Sequence, residues 1–552
     1  MTAADDTRTA GPEAFPIEWE EPTDPEVTWY WDDMHMPFAL VPLGADYIRV
    51  IGAGFNLCYE IYGGFPQRHY ARVWNGYAFF GHRNNVPEAD REALSKRWLG
   101  VMRERADVTG TYWTDDVLPE IKEIEAWIGA VHVATREPAA LAAAWDEAWR
   151  LIRRLWDLHF CIILGPYTIL EELADLYEAL VTEAAPGESL RLIQGARHEL
   201  FETELGMERL AALAGERPAI RDLLVEATGG DDGEHRQVER QELAVIADSG
   251  PFLDELDAFL ERHGHMGQGF DDLSYPSWAE EPSIILGELG RRVAHPPEAA
   301  EARRQRLAAD ADVLAEAVRD RLAGKDEELA RFNSVLALAR AIGPLTEVHN
   351  YWIDRLAQAR IRALSMRVGS RLAAAGCFDA ADDIFFLYRD ETRDLITLPH
   401  DIRPLISERR AEHARRQSMK PPETVGAPPK ESTPDRFDGP RTTSDDTNLL
   451  KGTGASPGVA RGPARVTLSP ADFGRIRAGD IIVCPSSNPS WVPVFTVAAG
   501  LVTNTGGILS HAAVVAREFG LPAVVGATNA TTLIAEGRLV EIDGTTGSVR
   551  LL

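Results

Sequence analysis

TNTGGILSHAAVVAREFGLPAVVG, residues 503–526, is the stretch on which the reading of this chain turns. Two short apolar runs of β character, GLVT and AVVG, bracket one helical segment, HAAVVAREFG at 511–520. Gly506-Gly507 lets the backbone come close to an anion, and Ser510 is a good N-cap residue, so His511 is expected in the first turn of that helix. The unpaired N–H groups of a first turn, together with the helix dipole, favour an attached phosphoryl dianion. The same field disfavours an imidazolium, which leaves a neutral, nucleophilic ring. Arg517, further along the helix, either adds charge or faces solvent. A histidine that merely caps a helix beside a turn is the alternative.

Outward from this stretch, PARVTL, DIIVCP and LVEIDG are further short β-type runs between Gly and Pro turns, so residues 451–552 predict a small domain with a helix set into a sheet. Before it, residues 418–450 are rich in Pro, Ser, Thr, Asp and Gly and poor in apolar residues. Such a segment buries too little to offset its ordering entropy and is expected to be a flexible linker. Residues 25–417 read as one large, mostly helical domain behind an aromatic-rich opening, with 1–24 disordered or extended. Strands and turns are expected around VWNGYAFF (73–80), and helices from Val86 onward. Trp145, Trp149, Ile152 and Trp156 recur at spacings of a helical core stripe. The fold class expected is multidomain α+β: a large α-helical domain followed by a small β/β/α domain.

Composition narrows the function. The 552 residues are 45% hydrophobic and 26% charged, with 57 Lys plus Arg against 86 Asp plus Glu, a formal net charge of −29. That surface repels phosphate backbones and anionic lipid, so neither nucleic acid nor membrane is an expected partner. No signal peptide or bilayer-length apolar run is visible, and Cys58, Cys161, Cys377 and Cys484 form no CxxC pair. A cytoplasmic chain with reduced thiols and no protein-bound metal site is expected.

The segment from Gly506 to Gly526 resembles the phosphohistidine swivelling domain of the phosphoenolpyruvate-utilising enzymes. Gly454-Ala455-Ser456-Pro457-Gly458, Gly479-Asp480-Ile481-Ile482-Val483 and Asn488-Pro489-Ser490-Trp491-Val492-Pro493 match that domain in order. The resemblance implies that His511 is the phosphorylated histidine, with Gly506, Gly507, Ser510 and Arg517 around the phosphoryl group. Thr505 stands where the family often has an acidic residue. FLERHGHMGQGFDDLSYPSWAEEPSIIL (259–286), with VWNGYAFF and DDIFFL (382–387), is similar to the acceptor-substrate region of rifampicin phosphotransferase-like proteins, although Met266 replaces their usual Arg.

The full rifampicin-type enzyme places an ATP-grasp domain before these parts, and here the substrate-like region begins near residue 25. No GxxxxGK[ST] loop occurs, and GAGFN (52–56) lacks the spacing of a dinucleotide fingerprint. Phenylphosphate synthase and cresol-phosphorylating systems keep the nucleotide-binding domain on a separate subunit. That arrangement is the expectation: Mg²⁺ and ATP on a partner ATP-grasp subunit, and a small hydroxyl acceptor, aromatic or phenolic, on this chain. A general base must take the acceptor's proton. His265 is the first candidate, beside Asp271 and Asp272, with His263, His349 and His35 as further substrate-site candidates. A non-catalytic phosphohistidine carrier is the competing class.

Overall fold

The computed structural model describes residues 15–62, 67–181, 184, 187–228, 236–267, 272–429, 448–468, 470–487 and 491–552. The chain forms two compact units, one of residues 1–165, 270–275 and 352–432, the other of 166–269, 276–351 and 433–552. This corrects the expected boundaries. Residues 25–417 are not one domain, because 166–269 and 276–351 cluster with the tail. The seam at Gly165–Pro166 falls inside one continuous helix, Pro138–Leu180.

The first unit is built on a four-stranded antiparallel sheet, ordered β2 (Gln67–Trp74), β3 (Tyr77–Asn84), β1 (Thr28–Trp31), β4 (Thr424–Gly426). Asn75 and Gly76, with φ of 51° and 83°, make the two-residue turn between β2 and β3 that the right-handed twist of a hairpin selects. Trp29, Trp74 and Phe79 pack into the core on this sheet, with Trp29 and Trp74 edge to face at 5.3 Å. Helix α1 (Pro42–Ile61) crosses β2 so closely that a Cβ on Gly52 would sit 2.4 Å from that of Ala71. In helix α2 (Pro138–Leu180) the stripe Trp145, Trp149, Ile152 and Trp156 is buried as its spacing predicted.

Two further expectations change here. Residues 15–24 are not loose: Phe15 enters the core, and Asp24 is fully buried. The Asp24 carboxylate accepts Arg72 Nε and Nη2 at 3.1 and 3.2 Å and Arg83 Nη2 at 2.7 Å. Residues 1–14 lie outside the described residues. The expected linker is shorter at both ends, since Thr424–Gly426 pairs with β1 and Leu449–Lys451 is a strand of the second unit; 430–447 lie outside the described residues. Asp24→Ala leaves the buried Arg72 and the part-buried Arg83 with only the more exposed Glu21 and Glu20, so it is expected to cost about 3 kcal/mol. Urea unfolding measures this, and a loss under about 1 kcal/mol would show that the cluster is not needed.

The second unit joins a helical layer to an eight-stranded sheet ordered β5 (Leu449–Lys451), β12 (Ser548–Leu551), β11 (Leu539–Asp543), β7 (Val459–Val466), β8 (Ile481–Cys484), β9 (Gly500–Thr503), β10 (Ala523–Val525), β6 (Thr453–Ser456). Strands β7, β8, β9 and β10 run parallel to one another, and the remaining pairs are antiparallel. Ile481, Val483, Val502, Val524, Val540 and Ile542 form the core that the β-type runs announced. The helices that matter for the site are α3 (Glu199–Gly215), α4 (Gly250–His263), α5 (Ser283–Ala294), α6 (Ala300–Arg321), α7 (Leu345–His349) and α8 (His511–Phe519). Helix α8 packs on β6 and β10 and also meets α6. Gln194 donates to the Arg517 carbonyl at 2.8 Å, Thr496 donates to Glu288 at 3.3 Å, and the Arg303 guanidinium lies 4.5 Å over the Phe519 ring. No helix among the described residues is long and apolar enough to cross a membrane.

Candidate functional site

Strand β9 ends at Thr503, and the chain turns at its carboxyl end into α8, the place where parallel α/β sheets build their sites. The loop between them is tied down by its own polar groups. Asn504 clamps Thr531, donating to Oγ1 at 2.7 Å and accepting the Thr531 N–H at 2.9 Å. Thr505, the residue that departs from the acidic pattern, donates its hydroxyl to the Pro485 carbonyl at 3.2 Å. Gly506 has φ of 99°, and a Cβ there would lie 2.9 Å from Ser510 Oγ, so this turn requires glycine.

Ser510 occupies the N-cap position, with an extended backbone, but its hydroxyl does not cap the helix. It donates to the Gly507 carbonyl at 2.7 Å. The first-turn N–H groups of α8 therefore have no side-chain cap, which keeps the positive end of the helix available to an anion.

His511 opens the helix with its ring largely covered. Its side chain is 11% exposed, and Nδ1 lies 2.8 Å from Oε2 of Glu347, itself 6% exposed. An ionised carboxylate only accepts, so Nδ1 carries the hydrogen, and in the neutral form of the ring Nε2 carries the lone pair. Nε2 is enclosed and has no hydrogen-bond partner among the described residues. The arrangement orients the ring and leaves Nε2 unspent, as a carboxylate–histidine pair does elsewhere. Glu347 is the partner of His511 that sequence reasoning missed.

Arg517 follows His511 on the same helix but two-thirds of a turn round it and about 9 Å along it. Its Nη1 donates to the Ala455 carbonyl at 3.0 Å, and the side chain lines a cavity with Pro457, Gly544 and Thr545. The structure does not bring this guanidinium to the His511 ring. Burial pulls Arg517 down to about 10 and pushes its neighbour Glu518 up to about 7.

The other histidines occupy separate settings. His263 is buried on α4, where Nδ1 meets Thr203 Oγ1 at 3.0 Å and the Tyr351 hydroxyl at 2.9 Å. His265 points its Nε2 at the Tyr351 carbonyl, 3.2 Å away, and stands edge-on to the Tyr351 ring. Both thus gather on Tyr351. His349 is buried with Nδ1 at 2.6 Å from the Leu345 carbonyl one turn back. His35 belongs to the other unit, half exposed, with Nδ1 at 3.0 Å from Asp32. Asp272 is also in that unit, and burial raises its carboxyl to about 6; Asp271 lies outside the described residues.

Burial holds His263 down to about 4, below the ordinary 6.5. Its contribution to stability is whole above pH 6.5 and disappears as pH falls towards 4, because the unfolded state then binds the extra proton. Linkage sets that loss at roughly 3 kcal/mol. His263→Gln is expected to lose less stability than the parent by that amount between pH 7 and 4 in urea unfolding. Parallel pH curves would remove His263 from the acid response.

Comparison with known proteins places these features. Residues 476–547 match the family model "PEP-utilising enzyme, mobile domain", and residues 166–347 match "Rifampicin phosphotransferase fourth domain". Chondramide synthase cmdD of Chondromyces crocatus is 30% identical over 98% of this chain and 14% of its own length. An uncharacterized phosphotransferase, YvkC of Bacillus subtilis, is 24% identical over 72% of the chain and 47% of its own length. The rifampicin phosphotransferase of Streptomyces sviceus is 30% identical over 56% of the chain and 36% of its own length. The chain therefore spans less than half the length of each of these relatives. It carries the mobile domain of the PEP-utilising enzymes, preceded at residues 166–347 by a counterpart of the rifampicin phosphotransferase fourth domain.

Proposed function

We propose that this chain is the phosphoryl-carrying and acceptor-binding part of an ATP-dependent phosphotransferase. The observation that carries the reading is the His511–Glu347 pair at the uncapped start of α8. Nε2 attacks the donor phosphorus, a P–N bond forms and the bond to the leaving oxygen breaks, while Nδ1–H stays with Glu347. The uncapped N–H groups of the first turn offset the dianion. In the second half the acceptor oxygen attacks phosphorus, the P–N bond breaks, and a base takes the hydroxyl proton. Among the candidate bases, His265 is less buried than His263 and His349, which favours it.

This reading puts Mg²⁺ and ATP on a partner ATP-grasp subunit. A small aromatic or phenolic alcohol is the proposed acceptor. The supports are the rifampicin phosphotransferase relatives and the aromatic density of residues 29–62. Trp29 and Tyr47 are core residues and are not offered to a ligand.

Labelled ATP, the chain and a candidate ATP-grasp protein together should give an acid-labile, base-stable adduct on His511, followed by a labelled small molecule. Labelling that stops at one phosphate per chain, with no small-molecule product against a phenol panel, would leave a carrier and remove the acceptor half. Calorimetry showing tight ATP binding to the chain alone would remove the separate subunit.

A further inference from the structure

Behind the His511–Glu347 pair lies a second, unassigned imidazole. His198 occupies the N-cap position of α3 with an extended backbone, φ −155° and ψ 177°, yet its side chain makes no capping hydrogen bond. The ring is partly exposed, but Nδ1 is enclosed and has no hydrogen-bond partner among the described residues. Enclosed polar atoms of this kind are rare unless something outside the protein pairs them. A cavity of ≈ 30 Å³ adjoins it, lined by His198, Glu204, Arg303, Glu347, Glu518 and Phe519 among others. Glu204 binds Arg303 through one oxygen, while its other oxygen, Oε1, is enclosed without a partner. The space suits one or two water molecules, and the lining supplies the several polar partners that a buried water needs.

The charges round this cavity show why Glu347 needs help. Glu204 and Glu518 face it with carboxyl groups raised by burial, and the negative charge of Glu347 adds to that of Glu518. Arg303 is committed to Glu204, and Arg517 to the Ala455 carbonyl. His198 is the neutral donor left on this lining, and Glu347 acts on it electrostatically.

We infer that His198 is a positioning residue of the phosphohistidine site, its Nδ1–H holding the Glu347 carboxylate, through cavity water, in place against His511 Nδ1. No bond of substrate is made or broken at His198. It fixes which nitrogen of His511 keeps the hydrogen, and so which one is nucleophilic. The functional half of this inference rests on His511 being the phosphoryl carrier, whereas the tautomer half does not.

The test uses the full chain with ¹⁵N-labelled histidine, before and after treatment with potassium phosphoramidate, a small-molecule phosphoryl donor that needs no partner protein. In the parent, nitrogen shifts should show His511 as the Nδ1–H tautomer and ³¹P spectra should show loading at Nε2. His198→Ala should mix the tautomers and lower the Nε2-to-Nδ1 loading ratio several-fold. His198→Asn, which returns an N–H close to the Nδ1 position, should restore both, and His198→Gln, which reaches the Nε2 position instead, should not. An unchanged tautomer and ratio in Ala and Gln variants that melt like the parent would overturn the inference. Should Ala fail to fold, the Asn and Gln pair decides, and equal behaviour of those two also overturns it. Failure of the parent itself to load at His511 would count against the phosphohistidine reading, with the tautomer comparison still judging His198.

Discussion

Substituting His511 by alanine is expected to remove phosphoryl uptake altogether, a fall of at least about a thousand-fold in single-turnover labelling. Among the described residues, no other imidazole in the second unit combines a helix-start position, a carboxylate on Nδ1 and an unspent Nε2. His263 is locked between Thr203 and Tyr351, and the Nδ1 of His349 is bound to its own helix. The substitution also has a structural cost, because the ring is not the exposed side chain expected of a helix start. Its loss leaves the enclosed Glu347 carboxylate without its donor, which is expected to cost about 1–3 kcal/mol. His511→Asn retains an N–H near Nδ1 and should spare most of that stability while still failing to load. Labelling followed by acid and base treatment reads the outcome. A variant that labels like the parent would place the carrier on another residue.

Glu347→Gln has the next largest expected effect. The amide keeps the volume and offers an acceptor to Nδ1–H, so the fold and part of the ring orientation should survive. What disappears is the charge, which supports the positive character that the ring gains as Nε2 bonds to phosphorus. Partners that orient a reactive histidine are typically worth 10–100-fold, and a loss near the upper end, about 100-fold in loading rate, is expected here because the pair is enclosed. Glu347→Ala should fall further, since it removes the acceptor as well. Rapid-quench labelling compares the three proteins. A Gln variant within about two-fold of the parent would reduce Glu347 to a packing partner.

The two residues of this pair were unequally legible in the sequence. His511 is announced by local chemistry: a double glycine, a serine and an amphipathic run, all within one turn and one helix. Glu347 lies 164 residues away, on a five-residue helix after Gly343-Pro344, and nothing in TEVHN distinguishes it from any surface glutamate. Only a long-range fold contact gives it a role, so the same segment drew attention to His349 instead. The β-type runs of the tail were readable because each alternates between Gly and Pro turns, and the Asn75-Gly76 hairpin because its turn chemistry is local. The division at Gly165–Pro166 was not, since the helix runs on through that Gly-Pro pair. The same holds for Thr424–Gly426, three residues in a proline-rich stretch that become a strand only because β1 offers them an edge. Asp24 likewise looked like part of a loose acidic start until Arg72 and Arg83 surrounded it.

The enclosure of Nε2 has a thermodynamic consequence. A phosphoryl group brings three oxygens to an atom that is already covered, so the covered packing and the loaded ring exclude one another to some degree. Whatever factor loading takes from the affinity of the mobile domain for Glu347, Gln194 and Glu288, that packing takes from the affinity of His511 for the phosphoryl group, because the two equilibria close one cycle. On the proposed phosphoryl transfer, the packed form is then the resting side of that cycle, and it re-forms of its own accord once the group has been delivered.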